Sequence, residues 1–401
     1  MGALDDILAP TARPEPKAKA PAGWEPGLTW DGSAGTLITP PLDAEPDPAV
    51  WAELVADWGL DPERHRIVPG SLQFRGWDAP VGDGEVKRLR YYRATITDAV
   101  FARADVEELC RLAVRKKPSK PVERKTDGNA WLVVSLNDWQ IGKGEGGGTP
   151  ATVAAITAAI DGVRRKAREL TRLGRRPGRI VLANTGDLTE RTAGHYASQS
   201  YTTDLNDREQ QRVARHLLWR LVDGLVTDGY GVTVTAVPCN HGENRNGAGK
   251  AQTTPDDNVS LTLVEGIEEA CRANPDRYHD VDFAYATDLT LVLDVAGVNV
   301  GMTHGHQVRG SGSAAAKVEK WWQGQIMGTQ PVAAADLLMT AHLHHLQLSE
   351  ETGRTVIIAP AIDGGSYWYT SATGRNSPRG MLTLTVGDAH HRGWGDLEVI
   401  G

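Results

Sequence analysis

Five short stretches of this chain carry residues that bind cations and move protons: D-W-Q at 138–140, G-D-L-T-E at 186–190, C-N-H-G-E at 239–243, T-H-G-H at 303–306 and A-H-L-H-H at 341–345. Carboxylate, carboxamide and imidazole together form a ligand set for Mn, Fe, Zn or Ni, and not for a sulfur-seeking metal. Two such cations about 4 Å apart can sit on a phosphate, polarise it and acidify a shared water. An imidazole beside them, as His241 offers, can protonate the departing oxygen. An isolated histidine is ordinarily a surface or capped core residue, and that is the expectation for His65, His195, His216, His279, His390 and His391.

The stretch "LNDWQIGKGEGGG" (136–148) admits a second reading, because Gly142, Gly144 and Gly147 spell the G-x-G-x-x-G of a dinucleotide-binding turn. That turn requires an acidic residue about 20 positions further on, at the end of the second strand. The first acid at the end of the following strand is Asp187, about 40 residues beyond Gly147. The nicotinamide reading also leaves the Asp and His residues of the other stretches without a role. The glycines are read instead as a flexible rim that lets a substrate backbone approach, or as a plain connector.

The elements that must position these residues are legible in outline. "WLVVSLND", "RIVLANTGD" and "GVTVTAVPCN" read as buried strands, separated by helices over about 149–173 and 204–228 and followed by one over about 256–273. Thr149 and Pro150 read as the cap and first-turn proline of the first of these helices. Further strands are expected within 281–304, 336–341, 356–362 and 380–386, with "SAAAKVEKWWQGQIM" a helix among them. The order predicts an α/β domain with a mixed sheet, or two sheets, between helices. Each polar stretch falls where a strand stops, and open α/β sheets build their sites beyond the carboxyl ends of strands.

The five stretches, in this order, resemble the motif series of the calcineurin-like metallophosphoesterases: D-x-H, G-D-x-x-D/E, G-N-H-D/E, H and G-H-x-H. The resemblance covers roughly 130–390 and implies an αββα sandwich with two metals. It places one metal on Asp138, Gln140, Asp187 and His344, and the other on Asp187, Asn240, His304 and His342, with Asp187 bridging. It gives His241 the role of general acid or transition-state contact, has Glu190 supporting the bridging aspartate, and leaves His306 as a partner of a ligand. Gln140 stands where the family has histidine, and Cys239 and Ala341 where it has glycine. An amide oxygen ligates a hard or borderline cation less tightly than imidazole, so Mn²⁺ is the expected metal, with Fe, Mg²⁺ or Zn²⁺ as alternatives. A residue other than glycine at 239 and 341 is tolerated if φ stays negative there.

The rest of the chain bounds the reading. Residues 1–44 are rich in proline and alanine and are expected to form a flexible tail. Residues 45–114 read as a small α+β module for nucleic acid or a partner, 115–128 as a linker, and 129–401 as the metallophosphoesterase domain. "KRLRYYR" (87–93) could contact phosphates and stack bases through Tyr91 and Tyr92. The basic "DGVRRKARELTRLGRRPGR" (161–179) reads as a solvated outer helix face. Tyr367, Trp368 and Arg375, in the segment after the last motif, are candidate substrate contacts. Net charge is −8 over 401 residues, so the molecule as a whole is not a polycation. Three widely spaced cysteines suggest a reducing, cytoplasmic setting, and no membrane-crossing or secretory segment is expected. The resulting expectation is a two-metal phosphodiesterase, foremost a nuclease using a metal-bridging hydroxide on DNA or RNA, with a homodimer as the family's frequent state. The alternatives are a phosphomonoesterase or cyclic-nucleotide phosphodiesterase, and a non-catalytic metal-binding scaffold whose N-terminal module binds nucleic acid.

Overall fold

The computed structural model describes residues 23–401 except 31–33, 43–44, 63–64, 68–70, 81–85, 99–104, 120–129, 196–198, 247–248, 364, 366–370, 372–373 and 375–377. The chain divides into two compact units, Met1–Ala102 and Arg103–Gly401.

In the first unit, strands β1 (Gly27–Trp30) and β2 (Ala34–Ile38) precede helix α1 (Pro48–Asp57) and strands β3 (His65–Ile67), β4 (Gln73–Pro80) and β5 (Val86–Asp98). The sheet is antiparallel, ordered β1-β2-β5-β3, with β4 also paired to β5. The Asp47 carboxylate accepts from the Ala49 and Val50 N–H groups and starts α1, which buries Trp51 and Val55 against Leu37, Tyr92, Ala94 and Ile96. Two expectations are corrected here. The β1–β2 hairpin lies within the segment expected to be a flexible tail; Leu28, Trp30 and Leu37 give it apolar surface to bury despite its proline-rich surroundings. Tyr91 and Tyr92 are 1% and 5% exposed, so neither ring offers a face to a base.

The second unit runs α2 (Val106–Val114), β6 (Trp131–Asn137), α3 (Gly148–Arg172), β7 (Ile180–Gly186), α4 (Gln199–Thr202), α5 (Asp207–Thr227), β8 (Val232–Ala236), α6 (Val259–Arg272), α7 (Pro275–Tyr278), β9 (Val281–Tyr285), β10 (Thr290–Val295), β11 (Val298–Thr303), α8 (Ala314–Met327), β12 (Leu337–Thr340), β13 (Gln347–Glu351), β14 (Arg354–Ile358), β15 (Met381–Val386) and β16 (Trp394–Ile400). One sheet is ordered β16-β15-β6-β7-β8-β9 and the other β10-β11-β12-β14-β13. Strands β6 to β9 are parallel, as are β11, β12 and β14. Val133, Val181, Ala183, Leu382 and Leu384 of the first sheet share one core with Val300, Met302, Leu337, Met339 and Ile357 of the second. Helices α3, α5 and α6 pack on the first sheet, and α8 covers the second with Val318 and Trp322. This is the expected helix–sheet–sheet–helix sandwich.

The boundary of this unit differs from the expected one. Helix α2 packs on α6, so it belongs here and not to the N-terminal module. The first residues of the expected linker are tied down: Lys116 pairs with Asp223 at 2.8 Å, and Asn274 and Arg277 donate to the Lys116 and Lys117 carbonyls. Residues 120–128 of that linker lie outside the described residues.

Candidate metal centre

The sandwich brings the polar stretches to one end of both sheets. Asp138 and Gln140 follow β6, Asp187 follows β7, Asn240 and His241 follow β8, His304 follows β11, and His342 and His344 follow β12. Five of these residues hold left-handed backbone: φ is 49° at Asp138, 43° at Gln140, 55° at Asp187, 66° at His342 and 58° at His344. Each such residue costs about 1–3 kcal/mol and persists where the surroundings over-determine it, as they do at functional sites. Cys239 and Ala341 are not among the positive-φ residues, so their Cβ atoms meet the condition set by the sequence. Gly186 makes room for one of them: at φ 102°, a Cβ there would lie 2.3 Å from Cys239 Cβ and 3.2 Å from His304 Nδ1.

Asp187, His304 and His342 place one ligand atom each within 4.8 Å of one another. His304 Nδ1 lies 2.8 Å from the Thr185 carbonyl, which makes Nδ1 the N–H donor and leaves Nε2 to face Asp187 Oδ2 at 3.0 Å. A nitrogen lone pair and a carboxylate oxygen at that distance repel unless a proton or a cation stands between them. Asp138 Oδ1, Asp187 Oδ2, Asn240 Oδ1 and His304 Nε2 are all buried without a hydrogen-bond partner. Orphaned buried acceptors are rare in proteins, and four orphans of ligand type at one end of the sandwich fit a bound cation. Burial pushes His342 down to about 4, aided by the charge of His304, so it stays neutral and able to ligate above that pH. Burial works against a charged His304, but the Asp187 and Asp138 carboxylates outweigh it and hold it above its ordinary value. Burial likewise opposes ionised Asp187, and the His304 and His241 charges nonetheless hold it well below the usual carboxylate range.

The Gln140 side is built differently. Gln140 Oε1, expected to face a cation, accepts from Lys143 Nζ at 3.1 Å, and the same ammonium pairs with Asp363. His344 lies between two acids, with Nε2 3.3 Å from Asp138 Oδ1 and Nδ1 3.8 Å from Asp363 Oδ1. Burial disfavours its charge, yet the two carboxylates lift its pKa to about 9. Asp138 Oδ2 is held by the Asn137 side-chain amide at 2.7 Å and the His342 N–H at 3.2 Å. Neither Lys143 nor Asp363 was expected to take part. Lys143 sits in the glycine-rich loop three residues past Gln140, whereas Asp363 lies well past the last motif and no local spacing links it to Gln140.

His241 is fixed from both ends. Its backbone N–H donates to Asp187 Oδ1 at 3.1 Å, and Nδ1–H donates to the Glu190 carbonyl at 2.6 Å, leaving Nε2 3.9 Å from Asp187 Oδ2. The Glu190 carboxylate is 3.8 Å from His241 Nδ1, so it stands beside the histidine that Asp187 also anchors. His195, expected to be a bystander, stacks on His241 with ring centroids 4.0 Å apart. Burial, with the neighbouring His241 and Arg245 charges, pushes His195 down to about 3 and keeps it an uncharged face. His306 has its ring 5.6 Å from that of His304 and its Nε2 3.4 Å from Glu243 Oε1.

The glycine loop is tied down and does not form the flexible rim expected from its composition. A Cβ at Gly142 would strike Gln210 at 2.3 Å, Gly144 N–H donates to the Thr202 carbonyl, and Asp204 accepts from both the N–H and the hydroxyl of Thr149. Asp204 therefore caps α3 in place of Thr149. Tyr367, Trp368 and Arg375 lie outside the described residues.

No family model matches this sequence, and no curated protein matches it. Among solved structures, the fold is similar to Vps29 complexed with Zn²⁺ from Entamoeba histolytica (17% identity, 64% of this chain and 87% of that one, TM-score 0.29). It is also similar to a novel archaeal phosphodiesterase (8% identity, 67% and 99%, TM-score 0.30). A third is a predicted phosphoesterase from Streptococcus pneumoniae TIGR4 (11% identity, 65% and 84%, TM-score 0.26). At such scores the likenesses carry no argument, and the functional reading rests on the chain's own residues.

Proposed function

We propose that this protein is a metal-dependent phosphoesterase acting on the phosphodiester bonds of a nucleic acid. The carrying observation is the group of four buried ligand atoms on Asp138, Asp187, Asn240 and His304 that lack a hydrogen bond of normal geometry, with Asp187 Oδ2 and His304 Nε2 facing each other at 3.0 Å and Asp138 Oδ1 facing His344 Nε2 at 3.3 Å. Asp187, Asn240, His304 and His342 would hold one divalent cation; Asp138, Gln140, Asp187 and His344 are the set the family resemblance offers to a second. A bound cation supplies Lewis acidity to a phosphoryl oxygen and lowers the pKa of a water. Asp187 is held ionised by its histidine neighbours and His342 is held neutral, as ligation needs, whereas His304, held above its ordinary value by Asp187 and Asp138, would release its proton on binding a cation. His241, anchored through Nδ1, presents Nε2 on the Asp187 side and is the proton donor to the leaving oxygen.

A polymeric substrate is favoured over a small ester by the outer face of α3. A groove of about 560 Å³ is lined there by Arg165, Arg168, Arg172 and Arg176 together with Asp228 and Tyr230. Arg165 and Arg172 make no ion pair among the described residues. At about 1.5 Å rise per residue the groove lies roughly 30 Å along α3 from the glycine loop, a distance only an extended polyanion spans. The deciding experiment offers bis-p-nitrophenyl phosphate, p-nitrophenyl phosphate and single-stranded DNA and RNA to the Mn²⁺-loaded protein. Hydrolysis of the diester and of a nucleic acid, with the monoester turned over far more slowly, is the expected result. A preference for the monoester would replace the reading with a phosphomonoesterase, and inertness toward all of them with a metal-binding scaffold.

A further inference from the structure

The two halves of the centre satisfy their polar atoms in different ways. Around Asp187, three buried donors of lone pairs (Asp187 Oδ2, Asn240 Oδ1 and His304 Nε2) have no hydrogen-bond partner. Around Gln140, Asp138 Oδ1 also lacks a regular hydrogen bond but faces His344 Nε2 at 3.3 Å, while the amide oxygen already accepts from Lys143 Nζ at 3.1 Å and Lys143 is paired with Asp363. Both members of that pair are sunk, their side chains 11% and 3% exposed, and a buried charge persists only when it is paired. The backbone aims the lysine there: Lys143 N–H donates to the Gln140 carbonyl at 3.0 Å, and Lys143 bridges to Thr203.

This arrangement accounts for the departure of the first motif. An imidazole at 140 has a single lone pair and would give it either to a metal or to an ammonium. A carboxamide oxygen has two lone pairs, is uncharged, and accepts readily from a lysine. Gln140 and Lys143 therefore form one device. We infer that Lys143 is a built-in cation that takes over the charge of the Gln140-side metal position, so the centre holds a single tight divalent ion at Asp187, Asn240, His304 and His342. The inference rests on the metal-dependent reading above. A second divalent ion on the same neutral oxygen would face the ammonium at close range, where like charges repel strongly. Among the described residues the ammonium donates to two oxygens, and its third N–H remains for a phosphoryl oxygen of the substrate.

The test reads metal content and spin coupling, not turnover. Chelator-stripped protein is refilled with Mn²⁺, freed of excess ion, and measured by elemental analysis and electron paramagnetic resonance. Wild type is expected to retain one Mn²⁺ per chain with the signal of an isolated ion. Lys143→Met combined with Gln140→His is expected to retain two, with the signal of a coupled pair. Two tightly retained, coupled ions in wild type overturn the inference whatever the variant does, and this arm stands even if the variant does not fold. A folded double variant that still takes one ion overturns it as well. Wild type that retains no Mn²⁺ at all sinks the metal-dependent reading beneath it, an outcome distinct from the other two.

Discussion

His241 has one nitrogen committed to the Glu190 carbonyl and the other turned to the Asp187 side, and the role proposed for that second nitrogen is proton donation. His241→Ala is therefore expected to keep the metal, by elemental analysis, while turnover of a diester with a poor leaving group falls by ~10²–10⁴-fold. His344 gives a second prediction, for the metal-free protein. Its folded pKa of about 9 lies above its ordinary 6.5, so its pairing with Asp138 and Asp363 stabilises the fold fully below pH 6.5 and is lost as pH rises through about 9. The Tm of chelator-treated protein should fall between those values, and His344→Asn should flatten the fall; a Tm that rises with pH there would contradict the assignment. The candidate ligands were legible in the sequence because each lies in a short motif at a strand end. Asp363 and His195 were not, because their partners are tertiary: Asp363 reaches Lys143 across 220 positions, and His195 meets His241 only as a stacked ring. Lys143, although only three residues past Gln140, stood inside a stretch dominated by its glycines.

At the scale of elements, the sheets set the centre by ending together, and the loops that follow the strands hold Asp138, Gln140, Asp187, His342 and His344 in left-handed backbone. Asp204 is the bolt on the loop that carries Lys143, because it accepts both the N–H and the hydroxyl of Thr149 in the first turn of α3. Asp204→Ala is expected to cost about 0.5–2 kcal/mol in denaturant unfolding, the range for a lost helix cap. It should also speed amide exchange in residues 142–148; an unchanged unfolding curve and unchanged exchange would show that the cap carries no load. The parallel strands β6, β7 and β8 were legible as continuous apolar runs, since they are buried on both faces. Strands β13 and β16 were not, because they are edge strands with largely polar or partly exposed sequences, "QLSEE" and "WGDLEVI". The β1–β2 hairpin escaped for a compositional reason: proline and alanine around it mask the few large apolar residues that hold it.

On the whole molecule, a net charge of −8 coexists with an arginine-lined groove on α3, and such local fields steer charged ligands even when the total charge is unfavourable. Replacing Arg165 and Arg172 by Glu should weaken single-stranded DNA binding several-fold at low salt, with the loss shrinking as salt screens the field. Turnover of bis-p-nitrophenyl phosphate, too small to reach the groove, should be unchanged; equal DNA affinity in variant and wild type would remove the groove from the account. Among the described residues no helix is long and apolar enough to cross a membrane. The claim on which the account turns is that Asp187 gathers a cation for phosphoryl chemistry. It is tested most directly by following bis-p-nitrophenyl phosphate hydrolysis in chelator-stripped protein, with and without added Mn²⁺, for wild type and Asp187→Asn. Activity that returns only with Mn²⁺, and only in wild type, is the predicted result. Hydrolysis that persists in chelator, or that Mn²⁺ restores equally in Asp187→Asn, would contradict it.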